Sequence, residues 1–227
     1  MALQADQLEA AEALSKILRS NNTNHAIIGG FALRLLGHNR GTEDVDVEID
    51  FATNTRDQVT QLLTQHDDRF TVQHRKLFFA PTNSSNKVCI ETLPLGELGL
   101  PRQLRTFTLE TCPYLITTMA STEVPILHPA VLILTKIKRC VQLATSTRPQ
   151  SIVKFHNDCS DITFLLNWLA ERDETIDFVG YNSAAVDRLY KAVADIIDYW
   201  RQAVKPDLVD LVSRVLERSD REKIMDG

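Results

Sequence analysis

The sequence predicts an α+β protein in which a domain of short strands and helices is followed by an all-α C-terminal helical bundle. Residues 43–50 read EDVDVEID, a strict alternation of acidic and apolar residues that is typical of a β-strand. Other short apolar runs bounded by turn residues lie before residue 128, and only helical periodicity follows it. We therefore predict one domain over residues 1–127 and a helical domain over residues 128–227.

The elements of the first domain follow from periodicity and turn signals. The first helix places Leu8, Leu14 and Leu18 on one face, and a short apolar strand then runs directly into Gly29-Gly30. The predicted elements are helix 5–19, strand 25–28, helix 31–36, strand 43–50, helix 54–65, strands 70–73, 76–80 and 87–93, and short strands near 106–109 and 124–127.

Four helices are predicted in the second domain, over residues 130–145, 151–171, 184–203 and 206–219. Pro206 is suited to the first turn of the last helix, where its missing N–H removes no hydrogen bond.

Composition excludes several classes of protein. Of the 227 residues, 44% are hydrophobic and 24% are charged, which is typical of globular chains and not of disordered or fibrous ones. No run of 18 apolar residues is present, and the acidic, amphipathic first segment is unlike a signal peptide, so we expect a cytoplasmic protein with no membrane partner. The 25 Lys and Arg residues against 30 Asp and Glu residues do not favour a nucleic-acid partner.

The four cysteines show no CxxC spacing, which favours reduced thiols over a metal site or a disulfide framework.

The acidic strand carries the strongest chemical signal. Asp44 and Asp46 lie on the same face of a strand, with Cβ atoms about 6–7 Å apart, a spacing that suits a hard cation such as Mg²⁺. The alternative is an edge strand whose polar face is simply in water. Gly29-Gly30 precedes this strand, and a glycine pair at a helix start exposes backbone N–H groups to a phosphate.

Together these residues resemble the nucleotidyltransferase superfamily, which includes DNA polymerase β, CCA-adding enzymes and aminoglycoside nucleotidyltransferases. The superfamily pattern matches Ile28-Gly29-Gly30 followed by Asp44-Val45-Asp46-Val47. Arg40-x-Thr42-x-Asp44 is similar to a subgroup that contains AbiEii-type toxins and minimal nucleotidyltransferases. The resemblance implies a nucleotidyltransferase-fold mixed β-sheet with flanking helices over the first domain.

The resemblance also implies a third carboxylate on a later strand. Glu91 is the best candidate, with a surface glutamate as the alternative, and Glu97 is a poorer one because it sits in a glycine-flanked turn. Lys136 matches a lysine that relatives carry on the first helix after the core, where it would face the triphosphate; a solvated helix face is the alternative. Asp161 matches a second helical element, although Asn157 stands where relatives carry a lysine. Asp161 is expected to orient a basic residue or to cap the domain interface.

The implied reaction is transfer of a nucleoside monophosphate from an NTP such as ATP to a hydroxyl acceptor, with release of pyrophosphate. Two Mg²⁺ ions, or Mn²⁺, would be held by Asp44, Asp46 and Glu91. The backbone N–H groups of Gly29 and Gly30 would hold phosphate oxygens, and Arg40 and Thr42 would contact phosphate or pin the loop.

The expected acceptor is a small molecule, because the acidic charge balance disfavours RNA. Two alternatives remain open: a toxin-like transferase that modifies tRNA or a protein side chain, and a non-catalytic nucleotide-binding module.

Overall fold

A computed structural model of the protein describes residues 2–51, 55–97, 99–108 and 124–225. The chain divides into two compact units. Unit 1 comprises Met1–Leu98 and Thr106–Leu127, and unit 2 comprises Gly99–Arg105 and His128–Gly227. The predicted fold class, a mixed sheet followed by helices, is confirmed. Whether residues 1–127 and 128–227 behave as independent domains stays a prediction.

Unit 1 is built on one mixed sheet. Among the described residues its seven strands have the order β3-β4-β5-β2-β1-β7-β6. β2 lies inside the sheet, antiparallel to β1 and parallel to β5. The strands are β1 (His25–Ile28), β2 (Asp44–Ile49), β3 (Phe70–Gln73), β4 (Lys76–Phe79), β5 (Val88–Pro94), β6 (Thr106–Thr108) and β7 (Pro125–Leu127).

Three helices belong to this unit: α1 (Ala2–Ser20), α2 (Gly29–Leu35) and α3 (Arg56–His66). α2 begins at Gly29 itself, two residues before the predicted start. α3 begins after Thr55, whose hydroxyl accepts the Gln58 backbone N–H while the Gln58 side chain accepts the Thr55 N–H. Residue 54 of the predicted helix and residue 109 of the predicted strand lie outside the described residues.

The core of unit 1 lies on the apolar face of β2. Val45, Val47 and Ile49 are fully buried, as are Leu14 and Leu18 of α1. This alternation leaves the acidic side chains of β2 on the opposite face of the sheet.

Unit 2 is helical, with α4 (Pro129–Leu143), α5 (Pro149–Ala170), α6 (Phe178–Tyr181), α7 (Val186–Gln202), α8 (Pro206–Arg214) and α9 (Arg218–Met225). The prediction of one helix over 206–219 is wrong, because the chain forms two helices there. The Val215 carbonyl accepts the backbone N–H of Ile176 at 2.8 Å, so it is directed to another segment at the point where α8 ends. None of the described helices is both long and apolar enough to cross a membrane.

Candidate active site

Three carboxylates meet on the polar face of the sheet. The parallel register pairs Asp46 of β2 with Glu91 of β5, and places Asp44 beside Cys89. One oxygen from each of Asp44, Asp46 and Glu91 lies within 4.8 Å of the other two. The structure thus brings together the three residues that the sequence analysis selected as metal ligands.

The chemistry of this group suits a divalent cation. Asp44 and Asp46 are half-buried and Glu91 is exposed, so the group is open to solvent on one side. Carboxylate oxygens are the donors that Mg²⁺ and Mn²⁺ prefer. A cation among them would relieve the repulsion between three neighbouring negative charges.

The carboxylates also act on the thiol of Cys89. Burial raises the pKa of Cys89, and the negative charges of Asp44, Glu91 and Asp46 raise it further. The positive charge of Lys76 of β4 lowers the pKa of Cys89, so its ammonium group lies near this face of the sheet. Sequence analysis does not select Lys76, because only the pairing of β4 with β5 places it there.

Gly29 is required by the position of Asp46. Its φ is +70°, in the left-handed region that side chains disfavour. A Cβ at Gly29 would lie 1.9 Å from Asp46 Oδ2, far inside any contact distance. The glycine therefore lets the backbone at the start of α2 approach a carboxylate of the acidic group.

Gly30, Arg40 and Thr42 are brought together beside this turn. A Cβ at Gly30 would lie 2.9 Å from Thr42 Oγ1 and 3.6 Å from Arg40 Cζ. Thr42 Oγ1 also donates to Asp44 Oδ1 at 2.8 Å. The hydroxyl of Thr42 thus orients one of the acidic residues, and the guanidinium of Arg40 lies against the glycine turn.

Glu48 differs from the other acidic residues of β2. Its side chain is 0% exposed, and neither oxygen has a partner at normal hydrogen-bond geometry among the described residues. Burial raises the pKa of Glu48 to about 8, against a smaller opposing effect of the Gly96 backbone. Burial therefore disfavours the charged form of this carboxyl, unlike the more exposed Asp44 and Asp46 of the same strand.

Lys136 lies in unit 2, in a buried ion pair. It is 3% exposed, and its Nζ lies 2.8 Å from Asp161 Oδ2 and 3.9 Å from Asp158 Oδ1. The alternative of a solvated helix face is therefore wrong. Asp161 orients a basic residue, as expected. Contact between Lys136 and a triphosphate stays a prediction.

The sequence of this chain matches no protein-family profile and no curated protein. Its structure is similar to that of an antigenic nucleotidyltransferase-like protein from Paracoccidioides brasiliensis, with a TM-score of 0.66 and 22% identity over 94% of this chain and 95% of that one. A structure of ANT(2'')-Ia in complex with adenylyl-2''-tobramycin matches with a TM-score of 0.46 and 12% identity, over 85% of this chain and 98% of that one. The first likeness confirms the predicted resemblance at the level of the fold.

Replacing Gly29 with alanine tests the close approach to Asp46. We expect Gly29→Ala to lower the free energy of unfolding by about 1–3 kcal/mol, because the left-handed conformation and the clash with Asp46 both oppose a Cβ. Gly41→Ala is the matched control, since a Cβ there meets no atom within 4 Å. Urea denaturation measures the free energy of unfolding of both variants. Equal stability of the two variants would contradict the close approach of Gly29 to Asp46.

Replacing Lys136 with methionine tests its buried ion pair. Lys136→Met should destabilise the protein by about 3–5 kcal/mol, because Asp161 then loses the buried cation 2.8 Å away. The double variant Lys136→Met/Asp161→Leu should recover most of this loss. Lys191→Met, in an exposed pair with Asp195, should cost less than about 1 kcal/mol. If urea denaturation shows that the Lys136→Met single variant is as stable as wild type, the ion pair of Lys136 does not contribute to the stability of the protein.

Proposed function

We propose, from the nucleotidyltransferase fold that this chain adopts, that it is a metal-dependent nucleotidyltransferase. It transfers a nucleoside monophosphate from an NTP to a hydroxyl group of a small molecule. The observation that carries the proposal is the grouping of Asp44, Asp46 and Glu91 within 4.8 Å, on adjacent strands and beside the Gly29 turn.

The three carboxylates would hold two Mg²⁺ or Mn²⁺ ions. When bound, the metal neutralises triphosphate charge and lowers the pKa of the acceptor hydroxyl. Thr42 supports this site because its hydroxyl fixes one oxygen of Asp44 at 2.8 Å.

The glycine turn and Arg40 would hold the triphosphate. The backbone N–H groups of Gly29 and Gly30 donate to phosphate oxygens, and the guanidinium of Arg40 adds a positive charge beside them. No side chain intervenes at either glycine, which lets the phosphate approach the backbone closely.

The reaction forms one bond and breaks one. The acceptor oxygen attacks the α-phosphorus, and the bond from that phosphorus to the bridging oxygen breaks. Pyrophosphate leaves with the electron pair of the broken bond. Glu91, the exposed carboxylate of the three, accepts the acceptor's proton or passes it to solvent.

The net charge of −5 supports a small acceptor over RNA, because a protein that follows a nucleic-acid backbone needs a surplus of positive charge. The net negative charge of the protein would attract a polycationic acceptor. We therefore place amine-bearing hydroxyl compounds first among the acceptors to be tried.

The test is transfer of label from NTPs that carry ³²P at the α-phosphate. Each of the four NTPs is incubated with Mg²⁺ and a panel of hydroxyl-bearing small molecules, and in parallel with tRNA or total protein. We expect a labelled small molecule from wild-type protein and a rate at least about 100-fold lower from Glu91→Gln. Glu97→Gln is the matched control and should retain the wild-type rate.

Equal rates for Glu91→Gln and wild type would contradict the assignment of the third carboxylate. Label on tRNA or on protein alone would replace the small-molecule acceptor with a macromolecular one. NTP binding without transfer to any acceptor in the panel would favour a non-catalytic module.

A further inference from the structure

A buried glutamine of α1 holds the main chain at the start of β2. The Gln7 side chain is 0% exposed, and its Nε2 donates to the carbonyl oxygens of Thr42 and Asp44, at 3.1 Å in each case. Both protons of one amide group are thus used on two carbonyls that flank Glu43. A side chain in this position fixes the path of the chain as it enters β2.

The orientation of that amide is itself fixed. Arg34 of α2 donates from Nη1 to Gln7 Oε1 at 3.2 Å. The guanidinium only donates and the two carbonyls only accept, so the amide nitrogen must face the carbonyls and the amide oxygen must face Arg34. The reversed orientation would place donor against donor and acceptor against acceptor.

This network ends at a carboxylate of the acidic group. Gln7 holds the backbone of Thr42 and Asp44, and the Thr42 hydroxyl donates to Asp44 Oδ1 at 2.8 Å. The main chain and the side chain of Asp44 are therefore both held in place. Asp46 lies two residues further along β2, in the same pairing of β2 with β5.

We propose that Gln7 is a positioning residue for the metal-binding carboxylates, with Arg34 fixing the direction of its amide. This inference rests on the proposed function, because it assigns Gln7 to the cation site of the transferase. Gln7 acts through the backbone of residues 42–44. Its contribution is preorganisation: Asp44 is held near Asp46 and Glu91 before a cation binds.

The decisive variant is Gln7→Glu, which keeps the size of the side chain and its contact with Arg34 but replaces the two N–H donors with an acceptor. We expect its Mn²⁺ dissociation constant, measured by electron paramagnetic resonance of free Mn²⁺, to rise about 10–100-fold. The rate under saturating NTP should recover at high Mg²⁺, because the chemical groups themselves remain. Leu14→Ala, a buried change in the same helix, is the control for general destabilisation and should leave Mn²⁺ affinity within about twofold.

Arg34→Met is the second variant, should Gln7→Glu fail to fold. It removes the partner of the amide oxygen and should weaken Mn²⁺ binding less than Gln7→Glu does. If every variant that folds binds Mn²⁺ with wild-type affinity, the positioning role of Gln7 is overturned and the proposed function is left intact. A wild-type protein that binds no Mn²⁺ would overturn the metal site, and the role of Gln7 with it.

A second, independent observation concerns two thiols in unit 2. Cys140 of α4 is fully buried and Cys159 of α5 is half-buried, and their Sγ atoms lie 3.5 Å apart. An ion pair between the neighbouring residues, Arg139 and Asp158, joins the same two helices. The sequence spacing gave no sign of this pair, because helix packing alone brings the two thiols together.

The geometry points to a disulfide-forming site at Cys140 and Cys159. A disulfide needs a sulfur–sulfur distance of about 2.05 Å, so the Sγ atoms must approach each other by about 1.5 Å for the bond to form. With hydrogen peroxide as oxidant, the Cys159 thiol loses its proton and the thiolate attacks one peroxide oxygen. The S–O bond forms, the O–O bond breaks, and the hydroxide that leaves takes up a proton to become water. The Cys140 sulfur then attacks the sulfur of the Cys159 sulfenic acid, the S–O bond breaks, and the hydroxyl leaves as a second water with the proton of Cys140, so two thiols and one hydrogen peroxide give one disulfide and two waters.

Peptide mapping by mass spectrometry after peroxide treatment tests this site. We expect a Cys140–Cys159 linked peptide two hydrogens lighter than its parts, reversed by dithiothreitol and absent in Cys159→Ser. Cys89→Ser is the control and should still form the link. Cys159 oxidised to sulfenic or sulfinic acid with Cys140 still reduced, or no reaction at either thiol, would overturn the proposal.

Discussion

The parallel pairing of β2 with β5 is the constraint on which the candidate site depends. Side chains alternate between the two faces of a strand, so a slip of one residue would turn Glu91 to the opposite face from Asp46. The register is fixed by the apolar side chains on the other face, where Val45, Val47 and Ile90 are buried. The hydrophobic core therefore determines, indirectly, which carboxylates meet.

The neighbours of β2 on its other side complete the arrangement. β1 runs antiparallel to β2 and pairs Ile28 with Asp46, so the residue that follows β1 in the chain reaches the acidic group. That residue must be a glycine, because no Cβ fits against Asp46 Oδ2. The close contact between Gly29 and Asp46 is thus a physical reason why a glycine precedes the acidic strand in the sequence.

Much of the fold could be predicted from the sequence, because short strands and amphipathic helices have strong periodic patterns. The alternation over residues 43–50 located β2, and the resemblance led to Glu91. Gln7 could not be selected from the sequence, because a polar side chain on an amphipathic helix looks like any surface residue until its partners are known. The sequence pattern places Glu48 on the same face of β2 as Asp44 and Asp46, and only the folded structure shows that Glu48 is fully buried. The break between α8 and α9 depends on a backbone hydrogen bond to Ile176, which has no signature in residues 206–219.

A crystal structure of the protein grown with MnCl₂ and a non-hydrolysable NTP analogue would test the proposed metal and triphosphate site most directly. We expect anomalous difference peaks for Mn²⁺ within coordination distance of Asp44, Asp46 and Glu91, with the triphosphate against Gly29 and Gly30. A triphosphate bound elsewhere, or ordered Mn²⁺ ions that avoid these three carboxylates, would contradict the proposed site.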